Sequence, residues 1–140
     1  MQIISDRRAL HRIPENGFQE FKTQALLMHQ LTAMGIPFET HRTWIVADLH
    51  GAHPGPTMAL RADMDALPMA EESGLDFACP TGTEAHTCGH DFHVAMLLTA
   101  AKMLKENEEN LEGTVKLMFQ PAEETFEGAK DMIENGILEN

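Results

Sequence analysis

Apolar residues recur with helical spacing in two long stretches of the chain. After Asp91, Val94, Leu97, Leu98, Ala101 and Leu104 form a stripe at i, i+3, i+4, i+7 and i+10, with Lys102, Lys105 and Glu106 outside it. This predicts a helix whose start Asp91 is placed to cap. Phe21, Leu26, Leu27, Leu31 and Met34 fall near the same period, so a second helix is expected from about Glu20 to Met34, with Gly35 as its stop. The breakers in Ile13-Pro14-Glu15-Asn16-Gly17 separate that helix from an earlier one beginning near Ser5.

The β-prone runs are shorter. Ile36–Thr40 and Trp44–Leu49 read as two strands with a tight connection, and Thr114–Phe119 as another, stopped by Gln120-Pro121. Thr57–Ala62 is apolar on both faces, the pattern of an inner strand covered on both sides. Residues 50–56, dense in Gly and Pro, are expected to be a turn with solvated His50 and His53. Pro68–Gly82 reads as a long loop, Glu106–Asn110 as a polar turn and Gly128–Asn135 as a last short helix. Such alternation of helix and strand predicts an α/β sandwich.

Composition narrows the function more than the fold. A length of 140 residues, 43% hydrophobic and 23% charged, describes one ordered globular unit. Ten Lys+Arg against 22 Asp+Glu give a formal charge of −12, which argues against a nucleic-acid partner, because phosphate backbones are bound by clustered basic residues. No run approaches the roughly 20 apolar residues that cross a bilayer, and no signal-peptide core follows the first charges, so no membrane association is expected. With two cysteines, Cys79 and Cys88, the expectation is a reducing cytoplasm in which both thiols stay free.

The candidate chemistry lies at element ends. Cys88-Gly89-His90 offers a thiol and an imidazole that suit a divalent ion such as zinc, manganese, cobalt or nickel, and the start of the following helix should favour the thiolate. Use of Cys88 as a nucleophile with His90 as its base is disfavoured, because such pairs are brought together by the fold and not by adjacency. Glu123 and Glu124 follow a strand and can divide two tasks, one binding an ion and the other taking a proton from water. Asp63 and Asp65, at i and i+2, can share one face at a strand end; a capped strand end leading into a solvated turn suits the same pair. His11 and Glu15 flank the first turn, where they could reach a site or serve as a polar helix end and its cap, the commoner role of such termini.

Four segments in order resemble a known family: Leu10-His11-Arg12-Ile13-Pro14-Glu15, Ala59 to Pro68, His86-Thr87-Cys88-Gly89-His90-Asp91, and Phe119-Gln120-Pro121-Ala122-Glu123-Glu124. They look like the successive motifs of the amidohydrolases of the aminoacylase and carboxypeptidase superfamily. The closest branch holds hippurate hydrolase, N-acetyl-diaminopimelate deacetylase and the plant auxin-conjugate hydrolases. The resemblance implies a helix-flanked mixed β-sheet of the zinc-exopeptidase type, with residues 1–140 as the N-terminal part of an incomplete catalytic domain. It further implies two divalent metal ions bridged by Cys88, with His90 and Glu124 as ligands and Glu123 as general base. Asp65, Asp63 and Asp91 would orient the ligands. The implied reaction is hydrolysis of a small-molecule N-acyl amino acid, with Glu123 taking a proton from water and passing it to the leaving amine.

Trp44 stands where the family has a small residue, and Ala85 and Thr87 replace the usual methionine and alanine around His86. Family members are more than twice as long, carry a lid and dimerisation domain, and complete the metal site with two later histidines. Two expectations follow. One is the N-terminal portion of an active parent amidohydrolase. The other is a truncated, inactive chain that folds, in one form as a homo-oligomer, and at most binds metal weakly. For these 140 residues alone the expectation is no turnover.

Overall fold

The computed structural model describes residues 2–139; Met1 and Asn140, the ends of the expected 1–140 unit, lie outside the described residues. Helix α1 (Gln2–His11) and helix α2 (Phe21–Ala33) flank the predicted turn, and α2 lies within one residue of its expected bounds. The strands are β1 (Glu39–His41), β2 (Trp44–His50), β3 (His53–Asp63) and β4 (Glu112–Gln120). Helix α3 (His90–Glu106) separates β3 from β4, and α4 (Gly128–Glu134) follows β4. These strands form one mixed sheet in the order β1-β2-β4-β3, with β3 and β4 parallel and the other pairs antiparallel.

Alternation along the strands sorts side chains to two faces. Ile45, Ala47 and Leu49 of β2 and Val115, Leu117 and Phe119 of β4 join the main core, against Leu10 of α1, Leu27 and Leu31 of α2, and Val94, Leu98 and Ala101 of α3. Trp44, Val46 and Met118 take the opposite face, where Met132 of α4 and Ile137 form a smaller second core. Gly128, the first residue of α4, is wedged against the end of β4: a Cβ there would lie 1.6 Å from the Pro121 carbonyl oxygen.

Three expectations are corrected. The turn predicted over 50–56 is confined to its first half, since β3 already begins at His53; Pro54 and Pro56 are tolerated because β3 is an edge strand with a register irregularity between His53 and Thr57. For the same reason Thr57–Ala62 is not an inner strand. Met58 is 62% exposed, and only the last two residues of β3, Ala62 and Asp63, are buried. An apolar run does not by itself separate an inner strand from an edge strand. Third, Asp91 does not cap α3. The cap position is Gly89, at φ +85°, and the Asp91 carboxylate turns into the interior.

Candidate metal centre

Because β3 and β4 are parallel, their carboxyl ends lie at the same edge of the sheet, the place where open α/β sheets assemble sites. Asp63 ends β3 and Asp65 follows it; Glu123 and Glu124 follow β4. The third contribution arrives by a detour. The loop after Asp65 is closed by a reciprocal backbone pair, Leu67 N to the Ala85 oxygen at 3.1 Å and Ala85 N to the Leu67 oxygen at 3.0 Å. That closure returns the chain to the strand ends, where His90 opens α3.

His90 is buried and its tautomer is determined by its neighbours. Nδ1 lies 2.9 Å from the Asp65 carbonyl oxygen, which can only accept, so Nδ1 carries the proton; Asp65 Oδ1 is 3.2 Å away. Nε2 then faces Asp63 Oδ2 at 3.6 Å, Glu123 Oε2 at 3.6 Å and Glu124 Oε1 at 3.9 Å. Burial opposes a charged ring, yet the Asp65 hydrogen bond and the Asp63 and Asp65 charges raise the His90 pKa to about 9. Asp65 is itself fully buried and also accepts from the Glu124 N–H at 3.0 Å. Burial works against its charge, but the bonds from His90, Glu124 and Glu123 outweigh it and hold the carboxyl below its ordinary value.

Asp63 accepts from Arg61 at 3.3 Å and pairs with His93, whose ring stacks on His90 at 5.5 Å between centroids. Cys88 is exposed. Its hydrogen bond to Glu124, with some burial and the charges of Glu124, Glu123 and Asp65, pushes the thiol up to about 11. The positive end of α3 does not by itself keep Cys88 as a thiolate, because the acidic cluster opposes it. Asp91 points away from these groups: Oδ2 meets Arg7 Nε at 2.8 Å and His11 Nδ1 at 2.6 Å, and His11 Nε2 continues to Glu71 at 2.9 Å.

Among the described residues two donor groups have atoms within 4.8 Å of one another: Asp63 with His90 and His93, and His90 with Glu123 and Glu124. Cys88 stands outside both and joins the second through Glu124. A divalent ion suits this set. Ligand atoms of a tetrahedral zinc-type site lie about 3 to 3.5 Å apart, slightly closer than these donors stand. Glu124 Oε1 is buried without a hydrogen-bond partner, an acceptor that a cation would satisfy.

Two members of this neighbourhood were not singled out from the sequence. His93 could have been found, since His90 and His93 are three apart on a helix and share a face. Glu20 could not. It is fully buried, accepting from Thr43 Oγ1 at 2.7 Å and from the Ala122 N–H at 2.9 Å, and nothing local marks it as more than a helix-end carboxylate. Glu15 bonds the N–H groups of Lys22 and Thr23 in the first turn of α2, whereas His11, the other residue flanking that turn, is buried between Asp91 and Glu71.

Residues 59–140 match the model of peptidase family M20/M25/M40. The chain belongs to that family. Among its relatives, an N-acetyl-L-cysteine deacetylase of Bacillus subtilis is 46% identical over 140 residues, covering 99% of this chain and 34% of the relative. An IAA-amino acid hydrolase ILR1-like 4 of Arabidopsis thaliana is 45% identical, covering 99% and 32%. The Bacillus subtilis YXEP protein, described as a dinuclear metal binding peptidase from the M20 family, superimposes with a TM-score of 0.95 at 39% identity, over 98% of this chain and 39% of that one. This chain therefore spans about a third of the length of the family relatives it matches. The shared fold is the mixed α/β sheet with helices on both faces. Among the described residues no helix is long and apolar enough to cross a membrane.

Proposed function

We propose that residues 1–140 form the N-terminal part of the catalytic domain of a metal-dependent amidohydrolase that cleaves the amide bond of N-acyl amino acids. The observation that carries this reading is the convergence of His90 Nε2, the unpartnered Glu124 Oε1 and Glu123 at the carboxyl ends of two parallel strands. Cys88, His90 and Glu124 would hold divalent metal, two ions in the complete site, of the zinc, manganese, cobalt or nickel type. Metal in that position supplies Lewis acidity towards the amide oxygen and lowers the pKa of water.

The chain's own groups divide the remaining work. Asp65 holds the His90 tautomer through Nδ1 and steadies Glu124 through its N–H, so both ligands are aimed before metal arrives. Glu123 is the less buried carboxylate of the pair, its side chain 35% exposed against 21% for Glu124. That exposure fits it to take a proton from water and return it to the leaving amine. Asp63, supported by Arg61 and His93, faces the same His90 Nε2 as Glu123. The relatives named for N-acetyl-L-cysteine and for IAA-amino acids support an N-acyl amino acid as the small-molecule partner. The two free cysteines fit a cytoplasmic protein, and the open edge of β3 fits a homo-oligomer.

The reading is tested with N-acetyl and N-benzoyl amino acids and added manganese or zinc, using the protein together with whatever its reading frame encodes beyond Asn140. Glu123→Gln is expected to lower turnover by about 10²- to 10⁴-fold while metal binding persists. Wild-type rates in that variant would contradict the role. The 140 residues alone are expected to bind metal without turnover.

Metal binding must also displace the His90 proton, and that of Cys88 where sulfur ligates. Apparent affinity should therefore rise about tenfold per pH unit for each proton released, and level off for His90 above about pH 9. Calorimetric titrations in buffers of different ionisation enthalpy count those protons. A pH-independent affinity between 6 and 9 would remove His90 from the site.

A further inference from the structure

The first turn of α3 brings a second imidazole to the strand ends, one that the centre proposed above leaves unused. His90 and His93 stand three apart on the helix, so they share a face, and their rings stack with 5.5 Å between centroids and 30° between planes. Asp63 meets both. Its Oδ1 accepts from His93 Nδ1, and its Oδ2 lies 3.6 Å from His90 Nε2. One donor atom from each of the three residues therefore lies within 4.8 Å of the other two. The side chains are 45% exposed at His93, 11% at Asp63 and 5% at His90, so an ion in solvent has a graded approach to the buried ring.

An ion pair alone does not call for this arrangement, since Arg61 already gives Asp63 a cationic partner at 3.3 Å. Two imidazoles and one carboxylate are a recurrent donor set for first-row divalent ions, with the remaining positions open to water. The spacing is close to what such ions need: ligand atoms about 3 to 3.5 Å apart in a tetrahedral site, against 3.6 Å from His90 Nε2 to Asp63 Oδ2. The chemistry differs from that of Cys88, His90 and Glu124, which offer a thiol, one imidazole and a carboxylate. His90 is common to both sets. Its Nδ1 is committed to the Asp65 carbonyl oxygen, which leaves Nε2 as the one nitrogen it can offer, and one nitrogen binds one ion.

We propose that Asp63, His90 and His93 form a second seat for a nitrogen-preferring divalent ion, such as nickel or copper, and that this seat and the Cys88–His90–Glu124 centre exclude one another. An ion entering it replaces the hydrogen bond between His93 and Asp63 with coordination bonds, releases the proton of that bond to solvent, and takes His90 away from Cys88 and Glu124. Arg61, 44% exposed, opposes the ion by its charge and is free to swing aside. The seat needs neither Cys88 nor Glu124, so it and the hydrolytic centre can fail separately.

Copper(II) added to the 140-residue chain, followed by electron paramagnetic resonance, tests the seat. A Cys88→Ser, Glu124→Gln double variant removes the thiol that would reduce copper and two ligands of the other centre. It is expected to bind one copper ion with nitrogen couplings from two imidazoles. Adding His93→Gln should weaken binding at least about tenfold and leave the couplings of a single imidazole. Replacing an exposed ring leaves the core intact, which circular dichroism would verify. Arg61→Met in the double variant should strengthen binding about threefold by removing a competing cation. A single-imidazole spectrum in the double variant, or affinity that His93→Gln leaves unchanged, would overturn the proposal. Exclusion is read in chains that keep Cys88: at less than one cobalt(II) per chain, the sulfur-to-cobalt band per bound ion should be larger in His93→Gln than in wild type, and an equal band would overturn it. A sulfur-to-cobalt band together with single-imidazole copper defeats the seat alone. Two-imidazole copper with no sulfur-to-cobalt band in either chain supports the seat and defeats the centre that uses Cys88.

Discussion

Asp65→Ala is expected to lower divalent-metal affinity by about 10- to 100-fold, the usual consequence of removing the group that orients a ligand. One carboxylate performs two tasks here: Oδ1 faces the His90 Nδ1–H and Oδ2 accepts the Glu124 N–H. Without it His90 retains only the Asp65 backbone carbonyl, and the Glu124 backbone loses its anchor. Asp65→Asn separates charge from shape. Its amide oxygen can still accept one bond, so a loss nearer tenfold is expected. The His90 pKa, raised to about 9 in part by Asp65, should fall in both variants, as NMR titration of the ring would report. Unaltered affinity and an unaltered His90 titration in Asp65→Ala would mean that the ring is aimed by the backbone alone.

The second large effect is on stability. Glu20→Ala should destabilise the fold by about 3–5 kcal/mol, because it removes a buried acceptor and strands two donors as well as leaving a cavity. Those donors are the Thr43 hydroxyl and the Ala122 N–H, the latter on a residue held at φ +49° immediately before Glu123. Glu20 thus ties the start of α2 to the segment that carries Glu123 and Glu124. Burial raises its pKa despite those bonds. Its contribution is therefore fullest below the unfolded value and diminishes as pH rises through the raised folded value. Urea unfolding at pH 5 and pH 8 checks both points. An unfolding free energy within about 0.5 kcal/mol of wild type, the scatter of ordinary surface substitutions, would show that the bonds contribute little.

Much of the framework was legible because its signals are local. The stripes of α2 and α3 repeat every turn, and the breakers at Ile13–Gly17 and Gln120-Pro121 interrupt hydrogen bonding wherever they occur. Edge position was not legible. Whether Thr57–Ala62 lies inside or at the rim depends on which strand pairs beside it, and that is decided by β4, more than fifty residues later. The same limit applies to the site. Cys88, His90, Glu123 and Glu124 could be singled out as donors at element ends, and the parallel pairing of β3 with β4 is what brings His90 against both glutamates. Glu20 carries no comparable mark, since its interest lies in burial, which only the tertiary packing reveals. Asp91 bears on α1 through Arg7 and His11, a contact made across 80 residues of chain.

The central claim is that this strand-end cluster holds a divalent metal, and cobalt(II) titration followed by visible absorption tests it most directly. The account predicts saturable binding with an intensified low-symmetry spectrum, a sulfur-to-cobalt band lost in Cys88→Ser, and loss of binding in His90→Ala. A spectrum that stays that of aqueous cobalt at millimolar concentration, or one that His90→Ala leaves unchanged, would contradict it.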